Sequence, residues 1–398
     1  MPRYEKVTFI NPKIIEYAIR TSGYAIEIVA NYIPVEQERL SSWMKGEDYP
    51  TFNQLVKIAE KTKRPIPFFF LDTPPDEKLP DDHRLFPGVT LGDYNPDLHL
   101  AIRFSNYLLN VAEEIAKLLE YQFQFKIPEF TSSTDPDKAA SRIRKILKIS
   151  IEQQFNWRKD EKYLEHWRKA LFENGVLVLK YPFKNDTVRA FCIGSKNKAV
   201  ICLSSSDAAP AMIFSVFHEL CHLGLGISAV SGGSTIRKVN FPHYDIERYC
   251  DKFAEAFLMP LSEDKVQNEL NSIQKVIFTK IKSFNEITKE IEDTAKRFKV
   301  SKYVVLNRLK AANQLSEYHF WELYDFFKKV DKDFKPPSGG SGKPYITEVL
   351  RRGTLFSSLI ITALDQEKIT PRDASNYLNL KTKWLENTRE YVLSALYG

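Results

Sequence analysis

The segment His218-Glu219-Leu220-Cys221-His222 has the residue types and spacing that most clearly indicate chemistry. Residues four positions apart lie one above the other on a helix, so His218 and His222 can present two imidazole nitrogens to one metal ion. Glu219 then lies within reach of a metal-bound water as its general base. Zinc lowers the pKa of such a water to about 7 and polarises a carbonyl group. The segment therefore predicts a Zn²⁺ ion and hydrolysis of a carbonyl compound.

A catalytic zinc ion also needs a third protein ligand and an open fourth position. Leu225 and Ser228 stand three and six residues after His222, where one class of zinc peptidases has glycine and histidine, so that class is excluded. Glu247 offers a carboxylate on a second predicted helix, and Asp251 lies one turn later on the same face. We expect Glu247 to be the third ligand and Asp251 to hold the distal N–H of a histidine.

His243 lies just before this second helix, and two roles are open to it. In one role it replaces Glu247 as the third metal ligand. In the other it donates a hydrogen bond to the oxyanion that forms when the substrate carbonyl is attacked, and Tyr244 and Tyr249 are alternative donors for that task. We count His243 among the catalytic residues in the second role and keep the first as the alternative.

The elements that must position these residues form a small α+β core. Three short runs rich in β-branched and aromatic residues predict strands at residues 176–179, 188–193 and 199–203. Residues 208–224 predict an apolar helix that carries the first motif, and a loop rich in glycine and serine follows over residues 224–235. Residues 245–259 predict the helix of the second motif, which Pro260 ends.

The first 70 residues predict a bundle of short helices. The run Trp43-x-x-Gly46-x-x-x-Pro50-Thr51-x-x-Gln54-Leu55 resembles the repressor-type (XRE) helix-turn-helix. The resemblance implies that residues 35–44 form a recognition helix for operator DNA. That helix would offer four side chains to a groove: Gln37, Arg39, Ser41 and Ser42. Ten basic and eight acidic side chains in residues 1–70 equally fit a bundle that contacts proteins.

Length and composition limit the classes of protein that the chain can be. A chain of 398 residues usually needs more than one core, and 43% hydrophobic with 27% charged residues excludes wholesale disorder. The net charge of +6 permits a nucleic-acid partner without requiring one. Four cysteines without CxxC spacing, no membrane-spanning apolar run and no apolar leader segment predict a cytoplasmic protein without a membrane partner.

The two motifs together resemble a known family. The first is followed twenty-five residues after His222 by Glu247-x-x-Cys250-Asp251-x-Phe253-Ala254-x-x-Phe257-Leu258-Met259-Pro260, and this pattern is similar to the ImmA/IrrE family of bacterial zinc metallopeptidases. The resemblance implies that His218, His222 and Glu247 bind zinc and that Glu219 is the base. It also implies limited cleavage of a specific protein, such as a helix-turn-helix repressor, in a stress, phage or toxin–antitoxin context that regulates transcription.

We accordingly predict a mostly α protein with a small α+β gluzincin-like metallopeptidase core, an N-terminal helix-turn-helix bundle and a C-terminal helical region. The predicted segments are 1–72 (helix-turn-helix), 73–95 (linker), 96–265 (zinc peptidase), 266–334 (helical extension), 335–344 (flexible joint) and 345–398 (C-terminal helices). The alternative function is a DNA-binding regulator or antitoxin that binds a partner protein without cleaving it. Glu219 favours the enzyme, because zinc binding alone does not require this carboxylate.

Overall fold

The computed structural model describes residues 5–75, 96–158, 163–183, 188–195, 197–227, 229–231, 244–278, 284–333 and 342–397. The chain divides into two compact units, Met1–Ser105 with Phe183–Asn185, and Asn106–Pro182 with Asp186–Gly398.

The helices are α1 (Pro12–Arg20), α2 (Ile26–Tyr32), α3 (Gln37–Lys45), α4 (Phe52–Thr62), α5 (Pro96–Leu118), α6 (Pro136–Leu147), α7 (Ile151–Asn156), α8 (Tyr163–Phe172), α9 (Ala209–Gly224), α10 (Tyr244–Leu258), α11 (Asp264–Phe278), α12 (Phe284–Phe298), α13 (Lys302–Ala311), α14 (Glu317–Asp333), α15 (Pro344–Arg352), α16 (Thr354–Asp365), α17 (Pro371–Leu378) and α18 (Leu385–Tyr397). Most of the described residues are helical, as predicted.

In the first unit, helices α1 to α4 and the 3-10 helix Ile66–Phe70 surround a core centred on the fully buried Trp43 and Phe69. Local signals set the helix ends. Thr51 and Gln54 form a reciprocal capping box at the start of α4. Gly46 ends α3 in the left-handed region at φ 80°, which glycine adopts without the steric cost of a Cβ atom. The helix-turn-helix assignment of this bundle stays a prediction.

The second unit contains a four-stranded sheet in the order β1-β3-β2-β4. The strands are β1 (Val176–Tyr181), β2 (Ala190–Gly194), β3 (Ala199–Ser204) and β4 (Ala229–Ser231). β1 runs parallel to β3, whereas β2 is antiparallel to both β3 and β4. The sheet confirms the small α+β core. The prediction of an uninterrupted loop over residues 224–235 was wrong at β4, because three residues are too few to show strand periodicity.

Helix α9 packs against strands β2 and β3 on one side and against α10 on the other, and α10 also packs against α6 and α13. The rings of Phe217 on α9 and Phe257 on α10 stack on each other inside this core. Gly224 ends α9 beside the ring of Phe130, which stacks on Phe253 with 5.6 Å between ring centroids. A Cβ atom at Gly224 would lie 2.2 Å from that ring, so only glycine allows this approach. The aromatic contacts hold α9 and α10 in register.

The buried Arg168 of α8 joins the sheet to the C-terminal helices. Its guanidinium donates to the backbone oxygen of Val178 on β1 and to the backbone oxygens of Leu350 and Arg351 at the end of α15. It also pairs with Glu165, with 2.8 Å between the charged groups. β1 lies at the edge of the sheet, so the guanidinium satisfies the Val178 carbonyl, for which no further strand is present on that side in the described sheet.

Replacing Arg168 with methionine is expected to lower the free energy of unfolding of the second unit by roughly 3–5 kcal/mol. Methionine keeps most of the volume but leaves buried carbonyl groups without a donor, and it leaves the Glu165 carboxylate with the Thr354 hydroxyl and without its guanidinium partner. Chemical denaturation measures the change. The control is Arg351→Met, which removes a half-exposed ion pair with Glu348 and should cost less than about 1 kcal/mol. Equal losses in the two variants would contradict the assigned role of Arg168.

Most of the predicted linker 73–95 and joint 335–344 lies outside the described residues. The six-segment division of the chain therefore stays a prediction. Within the described residues, none of the helices combines the length and the apolar character that crossing a bilayer would require.

Candidate metal centre

Two neighbouring helices supply the candidate ligands. His218 and His222 lie one turn apart near the end of α9, and both are buried, with 5% and 1% of their surface exposed. Glu247 lies in the first turn of α10 and keeps 28% of its side chain exposed. The four-residue spacing turns both imidazoles toward the same side of α9, where α10 packs. The site is therefore enclosed by protein on the histidine side and open at the carboxylate.

Three ligand atoms converge at this point. Nε2 of His218 lies 3.2 Å from Nε2 of His222 and 3.2 Å from Oε2 of Glu247. Nε2 of His222 lies 3.3 Å from Oε1 of Glu247. Ligand atoms about 2.0–2.2 Å from a tetrahedral zinc ion lie about 3.3–3.6 Å from one another. The spacing of the three side chains thus fits a small divalent cation, and among the described residues this is the group that can hold one.

A carboxylate outside the ligand set orients His218. Oδ1 of Asp251 lies 2.9 Å from Nδ1 of His218, on the opposite side of the ring from Nε2. This contact places the proton on Nδ1 and directs the lone pair of Nε2 toward the other two ligand atoms. The Cys250 thiol lies beside the ring of His222, so both histidines contact residues of α10 outside the ligand set.

The pKa values of His218 and Glu247 reflect the close approach of carboxylates and imidazoles at this site. Burial by itself lowers the pKa of His218, but the hydrogen bonds with Asp251 and Glu247 outweigh it and raise the pKa well above its ordinary value. Burial raises the pKa of Glu247, and the hydrogen bonds with His218 and His222 outweigh that effect and lower it well below its ordinary value. The protein therefore stabilises positive charge between these side chains, as a cation site requires.

Glu219 is fully buried and directly follows His218 on α9, and its role as general base stays a prediction. His243 lies outside the described residues. Tyr249, considered as an oxyanion donor, is buried, with 7% of its surface exposed, and its ring packs against Phe130. Burial first, and then the neighbouring thiols of Cys221 and Cys250, raise the pKa of Tyr249 above its ordinary value.

The four predicted DNA-contacting residues lie on α3 in the first unit. Gln37 and Arg39 are exposed, whereas Ser41 and Ser42 are half-buried. Arg39 forms a 3.4 Å ion pair with Asp48, and the hydroxyl of Ser42 donates to the backbone oxygen of Arg39. Through these contacts Arg39 interacts with other residues of the helical bundle in the first unit. Contact of these residues with DNA stays a prediction.

The sequence analysis overlooked Glu255, a buried carboxylate on α10 that hydrogen-bonds to Asn307 of α13. Its signal in the sequence is the spacing Glu247, Asp251, Glu255, which puts three carboxylates on one helix face. The analysis also overlooked Phe130, whose contact with α9 depends on packing across 94 residues of chain and leaves no local pattern.

Comparison with known proteins agrees with this geometry. Residues 173–310 match the family model Peptidase_M78, described as the IrrE N-terminal-like domain. The comparison with curated proteins gives no match. The matched range begins just before β1, includes both helices of the candidate metal centre and ends within α13. Residues 173–310 of this chain are therefore a Peptidase_M78 domain, the domain of metallopeptidases of the ImmA/IrrE type.

Proposed function

We propose that the chain is a zinc-dependent endopeptidase in which His218, His222 and Glu247 hold the metal and Glu219 is the general base. The observation that carries this proposal is the convergence of the three ligand atoms at 3.2–3.3 Å within a metallopeptidase domain. Two imidazoles and one carboxylate are a donor set that catalytic zinc commonly uses, and they leave a fourth position open.

In this mechanism the ion, when bound, polarises the substrate carbonyl and lowers the pKa of a water molecule. Glu219 takes the proton from the attacking water and delivers it to the departing amine. Its complete burial keeps bulk water from competing for that proton. Asp251 holds His218 in one tautomer, so that the imidazole does not rotate during turnover.

The substrate we propose is a specific protein, such as a helix-turn-helix repressor, whose cleavage alters transcription. Two features support this choice: the IrrE-like domain itself and the helical bundle of the first unit, to which we assign the binding of the protein partner. Regulation of stress, phage or toxin–antitoxin genes is the context in which such cleavage acts.

Metal removal tests the proposal. Elemental analysis of the purified full chain is expected to find about one zinc per chain, and a strong chelator is expected to lower the midpoint of thermal unfolding. A ligand that binds only the folded state contributes to its stability, by about 2.7 kcal/mol when its free concentration is a hundred times Kd. Restoring zinc should restore the midpoint. A chain that carries no zinc, takes up none and unfolds at the same temperature with chelator would contradict the metal centre.

A further inference from the structure

Helix α6 of the second unit carries a row of basic side chains on its outer face. The row consists of four residues that are all exposed, Lys138, Arg142, Lys145 and Lys148, and we call it the α6 basic stripe. The opposite face of α6 is buried and packs against α10. This burial fixes the rotation of α6 about its axis, so the stripe points into solvent.

The charges of the stripe have no acidic partner. Among the described residues, none of its four side chains forms an ion pair. The acidic residues nearest in sequence are engaged elsewhere. Asp135 caps the first turn of α6, and Asp137 pairs with Arg308 of α13. Glu152 pairs with Lys265 of α11, with 3.0 Å between the charged groups.

The dipole of α6 explains only part of this charge. The partial negative charge at the end of a helix favours cations there, which accounts for Lys145 and Lys148. Lys138 lies in the first turn, where the dipole is positive and disfavours a cation. Arg142 lies more than one turn from either end. The stability of the helix therefore does not account for basic residues along its whole length.

The dimensions of the stripe suit a chain of regularly spaced anions. A helix rises 1.5 Å per residue, so the cations of the stripe follow one another every ~4.5–6 Å over a length of about 15 Å. Phosphates of one DNA strand repeat about every 3.4 Å along the axis of the duplex. A strand that lies along α6 can therefore bring a phosphate close to each of the four cations.

The composition of this face favours phosphates over a protein or a membrane. None of the large hydrophobic side chains that the described residues expose lies on α6. The centre of a protein interface is depleted in lysine and enriched in aromatic residues, and a helix that lies on a membrane inserts an apolar face. The stripe has neither an aromatic centre nor an exposed apolar face. Its complement is a polyanion.

We propose that the α6 basic stripe binds the phosphate backbone of a nucleic acid without reading its base sequence. The contact lies in the second unit and is distinct from α3, the predicted recognition helix of the first unit. It goes beyond the proposed peptidase, because it requires neither zinc nor cleavage. Binding of this kind keeps a protein on DNA and lets it slide, so it would bring the chain to a repressor bound there.

The double variant Arg142→Gln, Lys145→Gln neutralises half of the stripe and tests the proposal. Fluorescence anisotropy with the full chain and a short DNA duplex of arbitrary sequence measures affinity between about 50 and about 200 mM salt. Each phosphate contact adds about 0.9 to the slope of log affinity against log salt, so the slope should fall by about 1.8. Over this range, four contacts correspond to a loss of roughly 150-fold in affinity and two contacts to roughly 12-fold.

The matched control is the double variant Lys289→Gln, Lys368→Gln. It removes two exposed lysines, one on α12 and one in the turn after α16, and changes the net charge by the same amount. Its slope should equal that of the wild type. Both double variants should keep the wild-type midpoint of thermal unfolding, because the substituted side chains are exposed. Equal weakening in the two variants would overturn the proposal, since overall charge would then explain the binding.

Three further probes identify the anion: single-stranded RNA of arbitrary sequence, polyglutamate, and vesicles that contain phosphatidylserine. Binding of duplex DNA or of RNA that depends on the stripe supports the proposal, and the tighter of the two identifies the nucleic acid. Binding of only polyglutamate or the vesicles would overturn it. A wild type that binds neither nucleic acid at about 50 mM salt, or whose binding survives Arg142→Gln, Lys145→Gln unchanged, would also overturn it.

Discussion

Replacing Glu219 with glutamine is expected to slow cleavage of the protein substrate by about 10²–10⁴-fold, the usual contribution of a general base. The amide keeps the size of the buried side chain but cannot accept a proton from water. His218, His222 and Glu247 stay intact, so zinc content and partner binding should match those of the wild type. The loss should appear in kcat and not in the affinity for the partner.

The measurement is a single-turnover cleavage assay with a candidate repressor, followed by electrophoresis and mass spectrometry of the products. Glu263→Gln is a suitable control, because this glutamate is exposed in the turn after α10 and is not part of the site. If Glu219→Gln and the wild type regulate the target equally, hydrolysis is not the function. The chain would then act as a regulator that binds its partner without cutting it.

Replacing His218 with alanine is expected to reduce bound zinc from about one ion per chain to nearly none, because one of three convergent ligand atoms is removed. Glu247→Ala should have a similar effect. Asp251→Ala should be milder, with a loss of about 10–100-fold in zinc affinity, since it removes only the partner that orients His218. This order of effects is specific to the arrangement of ligands and supporting carboxylate in the structure.

Equilibrium dialysis against zinc, with elemental analysis of the protein, measures these losses. His319→Ala serves as the control, because this histidine is exposed on α14 and interacts with Ser316. Full zinc occupancy in His218→Ala would show that the zinc ion binds at another place in the chain. A loss in Asp251→Ala as large as that in His218→Ala would move Asp251 into the ligand set.

Local sequence determined the parts of the site that lie on one helix. The four-residue spacing of His218 and His222 places both rings on one face because the helix repeats every 3.6 residues. The position of Glu219 on the same helix, directly after His218, likewise needs no knowledge of the tertiary structure. The same periodicity predicted both metal helices. Pro260 and the apolar runs before the first motif were sufficient to place them within a few residues of α9 and α10.

The approach of the two helices was decided only by tertiary packing. Glu247 reaches the histidines across 29 residues of chain, and Asn307 reaches Glu255 across 52, through contacts of α10 with α9 and α13. Arg168 donates a hydrogen bond to the backbone oxygen of Leu350, which lies 182 residues away in the chain. Helical periodicity indicates which face of a helix is apolar and which is polar, but it does not determine the distance between one helix and another. That distance comes from how side chains such as Phe217 and Phe257 fill the space between helices, which a pattern within one helix does not encode.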